Sequence, residues 1–195
     1  MRLTTRIQKA IDKAAQLHDG QRRKADDLPY IVHPMTVAAT LLPLTDDEDV
    51  VVAALLHDII EDVPGYSVAD IQRDFGPRVV ELVLEVTEDG NRPGMSDADE
   101  RATWEERKAG YLKTLGEDCV EALMISAADK LHNLRSLIIA VERDGAEQVA
   151  HRFNATLERK LWYYGEIIKV MRERLGGPLT SDLEVELKRA QEVIL

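Results

Sequence analysis

At 195 residues, with 45% hydrophobic and 31% charged side chains, the chain has the length of one domain and the composition of a soluble globular protein. A chain of this size can bury about 70% of its unfolded surface, so a core is available, and the composition argues against a disordered, collagen-like or coiled-coil chain. The formal net charge is −11, from 25 Lys and Arg against 36 Asp and Glu, which argues against nucleic acid and anionic membranes as partners because both need a basic footprint.

Apolar positions recur every three or four residues through nearly the whole chain, and no alternating stretch has turn signals on both sides, so the pattern predicts an all-α fold. A first helix is expected over residues 5–18, with Ile7, Ala10, Ile11, Ala14 and Leu17 on one face, stopping near Gly20. Polar residues 21–30, with Pro29, read as a loop. Pro34 suits the first turn of a second helix whose apolar face is Val37, Ala38, Leu41 and Leu42. The acidic run 46–49 reads as a solvated cap at the start of a third helix, where the helix dipole favours negative charge.

That third helix, residues 49–62, is apolar on most sides as far as His57 and reads as the central buried one. Its run 50–56 is far shorter than the ~20 residues of a membrane span. The first nine residues lack the apolar core of a secretory signal, so the expected location is the cytoplasm. Shorter helices follow over residues 67–75 and 77–87. Residues 88–101, rich in Gly, Pro and acids, read as a loop bordering the site. Helices resume over residues 103–115, 118–143, 147–175 and, after Gly176-Gly177-Pro178, over 181–194. Cys119, the single cysteine, excludes a disulfide framework and reads as a buried thiol beside Val120, Leu123 and Met124. The expectation is one domain over residues 1–195, with a core at about 5–175 and a C-terminal helix at about 181–194.

The strongest chemical signal is His57-Asp58-Ile59-Ile60-Glu61-Asp62. On a helix, His57 and Glu61 are four residues apart, as are Asp58 and Asp62, so four polar groups meet at one end of a core helix. Imidazole and carboxylate together suit Zn²⁺, Mn²⁺ or Fe²⁺, although a solvated helix end would look the same in isolation. Two further segments share the character. His33 stands at the threshold of a helix in Tyr30-Ile31-Val32-His33-Pro34. Asp129 follows two alanines inside an apolar stripe, where a carboxylate is costly unless paired or metal-bound. Asn133 lies one turn further on.

His33, the His57-Asp58 pair and the distant Asp129 form an HD pattern, and through it the chain resembles the HD-domain metal-dependent phosphohydrolases. Within them it is similar to the hydrolase domain of the RelA/SpoT alarmone enzymes and to the stand-alone small alarmone hydrolases. The resemblance also rests on Gln21-Arg22-Arg23-Lys24, Pro29-Tyr30, Ala54-Leu55-Leu56 and Lys130-Leu131-His132-Asn133-Leu134-Arg135, and covers residues 5–175.

It implies an HD-domain helical bundle in which His33, His57, Asp58 and Asp129 hold one divalent cation, Mn²⁺ being usual. It implies acid–base roles for Glu61 and Asp62 and nucleotide contacts from Arg23, Lys24 and Asn133. The reaction would be hydrolysis of the 3′-diphosphate of a (p)ppGpp-like nucleotide, with release of pyrophosphate. The partner would be that small nucleotide rather than nucleic acid or a membrane, and nothing in the sequence assigns an oligomeric state. The alternatives are another nucleotide substrate, such as (p)ppApp, a nucleoside monophosphate or NADPH, and a non-catalytic nucleotide-sensing role.

The chain departs from the pattern at Asp26-Asp27-Leu28, where a Gly often precedes the Pro-Tyr pair, and base preference could differ as a result. His132 is expected to make a structural hydrogen bond, and His18 and His151 to be surface or partly buried structural residues. Arg107-Lys108 is read as a solvated helix face, with phosphate-binding cations as the sharper alternative. Trp162-Tyr163-Tyr164 is read as helix packing.

Overall fold

The structure is a computed structural model that describes residues 2–88, 94 and 96–195. The described residues form an all-α fold with no strand beyond an isolated bridge between Arg22 and Pro29. In chain order the helices are α1 (Thr5–Leu17), α2 (Val32–Leu41), α3 (Glu48–Leu56), α4 (Ile59–Asp62), α5 (Val68–Phe75) and α6 (Pro77–Val86). They continue as α7 (Asp97–Ala102), α8 (Trp104–Leu115), α9 (Val120–Asp144), α10 (Ala146–Ala150), α11 (Leu157–Arg174) and α12 (Gly177–Ile194). Among the described residues no helix is long and apolar enough to cross a membrane.

Two helices organise the core. Every residue of α3 from Val50 to Leu56 is buried, and the helix packs on α1, α2, α6 and α9. The long α9 touches α2, α3, α6, α10, α11 and α12. The site is built where these two central helices meet. Caps follow the sequence: Thr4 accepts from the amide of Ile7, Asp47 from that of Asp49, and Ser67 forms a reciprocal capping box with Asp70. The acidic run is more than a solvated cap, because Glu48 and Asp49 both hold Arg6 of α1.

Four expectations are corrected. The helix expected over 49–62 breaks at His57-Asp58, because His57 Nδ1 takes the Ala54 carbonyl at 2.8 Å, the acceptor that the Asp58 amide would use in a continuous helix. The helix expected over 147–175 is interrupted at residues 151–156. Arg152 is pinned to the Ala25 carbonyl and to Asp144, and Thr156 caps a new start by accepting from the Arg159 amide. Part of the loop expected over 88–101 is helical, since Ser96 accepts from the Asp99 amide and starts α7; residues 89–93 and 95 of that stretch lie outside the described residues. Cys119 is half-buried at the N-cap of α9, with its amide on Glu85, and burial pushes its thiol up.

Candidate active site

His33 sits in the first turn of α2, His57 and Asp58 at the break between α3 and α4, and Asp129 in the middle of α9. Packing of α3 and α2 against α9 brings these separated residues together. His33 Nε2 lies 3.2 Å from His57 Nε2, 3.2 Å from an Asp58 carboxylate oxygen and 3.2 Å from Asp129 Oδ1. His57 Nε2 lies 3.1 Å from Asp58 Oδ1 and 3.9 Å from Asp129 Oδ1. Metal–ligand bonds near 2.1 Å place neighbouring donor atoms about 3.0–3.4 Å apart, so His33, His57 and Asp58 fit one divalent cation, with Asp129 meeting that spacing toward His33 but standing farther from His57.

The surrounding bonds set the donors' orientation. His57 Nδ1 donates to the Ala54 carbonyl, which leaves Nε2 facing the cluster. His33 Nδ1 lies 2.8 Å from His132 Nδ1. Burial and His33 lower the His132 imidazole to about 4. The hydrogen bond with His33 is the structural role expected of His132. Tyr30 donates its hydroxyl to Asp58 at 2.8 Å. His18, expected at the surface or partly buried, is fully buried: it stacks on Tyr30 with ring centroids 4.7 Å apart. His151 is exposed.

Burial opposes charge on both aspartates and on His57, and the cluster overrides it. Lys130, 2.5 Å away, and the two histidines hold the Asp129 carboxyl well below its usual range, while Asn133 donates to its other oxygen at 2.5 Å. His57 and His33 likewise hold Asp58 below its ordinary value, and Asp58 raises His57 to about 9. A bound cation would take the place of protons on these groups, so metal affinity would depend on pH.

Glu61 and Asp62 project from α4 into the same cavity. Glu61 accepts the backbone amide of Glu88 at 2.6 Å. Burial and the charge of Asp58 raise Asp62 to about 6, a value suited to proton transfer near neutral pH. All nine residues expected at the site therefore line one cavity of about 560 Å³, the size of a nucleotide pocket.

The facing wall is cationic. Arg23 donates to Asn133 at 2.5 Å and lies over the Tyr30 ring, with its Nε buried and unpartnered among the described residues. Lys24 is more exposed and holds Glu100 at 2.9 Å. Arg107 and Lys108, read as a solvated face, instead turn inward onto the buried Glu88. Tyr163 and Tyr164 are buried and line the cavity, whereas Trp162, read as packing, is 56% exposed. The sequence reading gave no role to Tyr30, Lys130 or Lys160. Lys160 did carry a signal: a lysine one turn from Leu157 and Tyr164, on the stripe that faces inward.

A family model described as HD domain matches residues 10–156. The bifunctional (p)ppGpp synthase/hydrolase SpoT of Escherichia coli K12 is 33% identical over 132 residues, 68% of this chain and 18% of that protein. A probable GTP pyrophosphokinase of Mycobacterium leprae is 37% identical over 170 residues, 87% of this chain and 19% of that protein. The chain thus spans under a fifth of the length of these curated relatives. Among solved structures, a metazoan ortholog of SpoT that hydrolyzes ppGpp is 30% identical, with a TM-score of 0.72 over 100% of this chain and 99% of that one. A protein of Listeria monocytogenes EGD-e is 31% identical, with a TM-score of 0.67 over 83% and 97%.

Proposed function

Because this chain belongs to the HD-domain family, we propose that it is a metal-dependent hydrolase that removes the 3′-diphosphate from a (p)ppGpp-like nucleotide and releases pyrophosphate. One observation carries the reading: two His and two Asp donors, two carboxylates and a wall of cations meet in a single nucleotide-sized cavity. We assign His33, His57, Asp58 and Asp129 as the cation's ligands, with Mn²⁺ as the working ion and the cytoplasm as the working location.

When bound there, the cation supplies Lewis acidity toward a phosphoryl oxygen and acidifies the attacking water. The protein's own groups do the rest. Glu61, fixed by the Glu88 amide, and Asp62, beside Tyr30 and Asp58, divide two tasks: one accepts the proton of the attacking water, the other holds the geometry of that transfer. Arg23 and Asn133 hold the nucleotide, and Arg23, with Lys24 nearer the rim, offsets charge developing on the phosphates. Tyr163 and Tyr164 wall the cavity and exclude water.

The test is a panel of ppGpp, its adenosine counterpart, a nucleoside monophosphate and NADPH, each with Mn²⁺, Zn²⁺, Mg²⁺ or chelator. Pyrophosphate from a 3′-diphosphate nucleotide, only with metal, is the expected result. Orthophosphate from the monophosphate or from NADPH alone would overturn the reading, as would binding of ppGpp without turnover.

A further inference from the structure

The cations of the cavity differ in one respect. Lys24 holds Glu100, Arg107 and Lys108 hold Glu88, Lys130 holds Asp129, and Arg23 donates to the Asn133 side chain. Lys160 lines the same cavity, yet its side chain has neither an ion pair nor a hydrogen-bond acceptor among the described residues. Its ammonium sits 4.2 Å from the centre of the Phe153 ring.

Its place on α11 is equally unusual. Lys160 falls three residues after Leu157 and four before Tyr164, both buried, on the stripe that packs inward. A half-buried ammonium at such a position is costly without an anion. Burial and repulsion from Lys108, Lys24, Lys130 and Arg23 lower it to about 7, which an anionic ligand would relieve. Lys160 stands on α11, which carries none of the four donor residues; these stand on α2, at the α3–α4 break and on α9.

We propose that Lys160 binds the phosphate group of the substrate remote from the scissile bond, so that the cavity selects nucleotides phosphorylated at two positions. This rests on the proposed reading of the site, which leaves the second phosphate of a 3′,5′-substituted nucleotide without an anchor.

The test is calorimetric titration of the Mn²⁺-loaded protein with guanosine 3′,5′-bisphosphate and guanosine 3′-monophosphate, with the adenosine pair in parallel. Neither probe carries the diphosphate that would be cleaved. Wild type should bind the bisphosphate about tenfold or more tighter. Lys160→Met, which keeps the stem and removes the charge, should weaken the bisphosphate by about 10- to 100-fold, the range of a hydrogen bond to a charged group, and the monophosphate by less than about twofold. Lys160→Arg should retain most of the discrimination, and Lys160→Gln replaces the methionine variant should that fail to fold. Equal weakening of both probes, or no change in either, overturns the assignment. A wild type that discriminates through Lys160 but never hydrolyses ppGpp sinks the proposed reaction and leaves Lys160 in place; hydrolysis with unchanged discrimination in Lys160→Met sinks Lys160 alone.

Discussion

The Lys130–Asp129 pair offers the sharpest energetic test of the site. Lys130 Nζ lies 2.5 Å from one oxygen of Asp129, and the two side chains are only 16% and 10% exposed. Lys130→Met keeps the stem and removes the charge, leaving a buried carboxylate among His33, His57 and Asn133. Breaking such a pair costs about 3–5 kcal/mol, and a chain of this length shifts by about 2–4 °C per kcal/mol. The metal-free variant should therefore melt roughly 6–20 °C below metal-free wild type at pH 7.

The sign of the pH dependence follows from Asp129. Its carboxyl is held well below its usual value in the folded state, so its contribution is present above the unfolded value near 3.9 and is lost as pH falls toward the folded one. The gap between wild type and variant should narrow below about pH 4. Added Mn²⁺ restores a positive charge beside Asp129, so the metal-induced rise in Tm should be larger in Lys130→Met than in wild type. Calorimetric melts at pH 3.5 and 7, with and without Mn²⁺, give all four numbers. A loss under about 2 °C, or a smaller metal response in the variant, would refute the pairing of Lys130 with Asp129 beside the proposed cation site.

Other outcomes follow from neighbouring features. His57→Ala should lose bound metal and activity together, whereas Glu61→Ala should lose activity by about 100-fold or more and keep its metal by elemental analysis; a Glu61 variant without metal would move that carboxylate into the ligand set. Asp118 is buried with Oδ2 unpartnered, and burial and Glu85 raise it to about 6. Its contribution is complete below about 3.9 and is lost as pH rises through 6, so Asp118→Asn should stabilise by about 1–2 kcal/mol at pH 7.5 and not at pH 3.5. A gain of the same size at both would contradict the burial argument. Asp27 stands at φ 60, in the left-handed region that favours glycine. Asp27→Gly should stay within about 1 kcal/mol of wild type in urea unfolding, and Asp27→Val should lose about 1–2 kcal/mol.

Much of this architecture was readable because its causes are local. The stripe Val50–Leu56, the spacing of Ile7, Ala10 and Ala14 and the buried-looking Asp129 each act within a few residues, and they placed α1, α3 and the centre of α9. The break at His57 was not readable, since it depends on which way one imidazole turns: toward the Ala54 carbonyl rather than solvent. Nor was the gap at residues 151–156, which exists because Arg152 reaches Ala25, 127 positions away. In the site, the nine expected residues came from motifs and do line one cavity. What the motifs left out is the second layer: Tyr30 on Asp58, Lys130 on Asp129 and Glu88 drawing Arg107 and Lys108 inward, all contacts between elements remote in the chain or side-chain orientations that helical periodicity does not fix.

The central claim concerns which bond breaks. Hydrolysis of ppGpp in ¹⁸O-labelled water with Mn²⁺, analysed by mass spectrometry, reads it directly. Attack at the phosphorus bonded to the 3′ oxygen predicts one ¹⁸O in pyrophosphate, an unlabelled GDP product in equal amount, and no turnover in chelator. Labelled orthophosphate, label in GDP, or turnover that survives removal of metal would contradict the account.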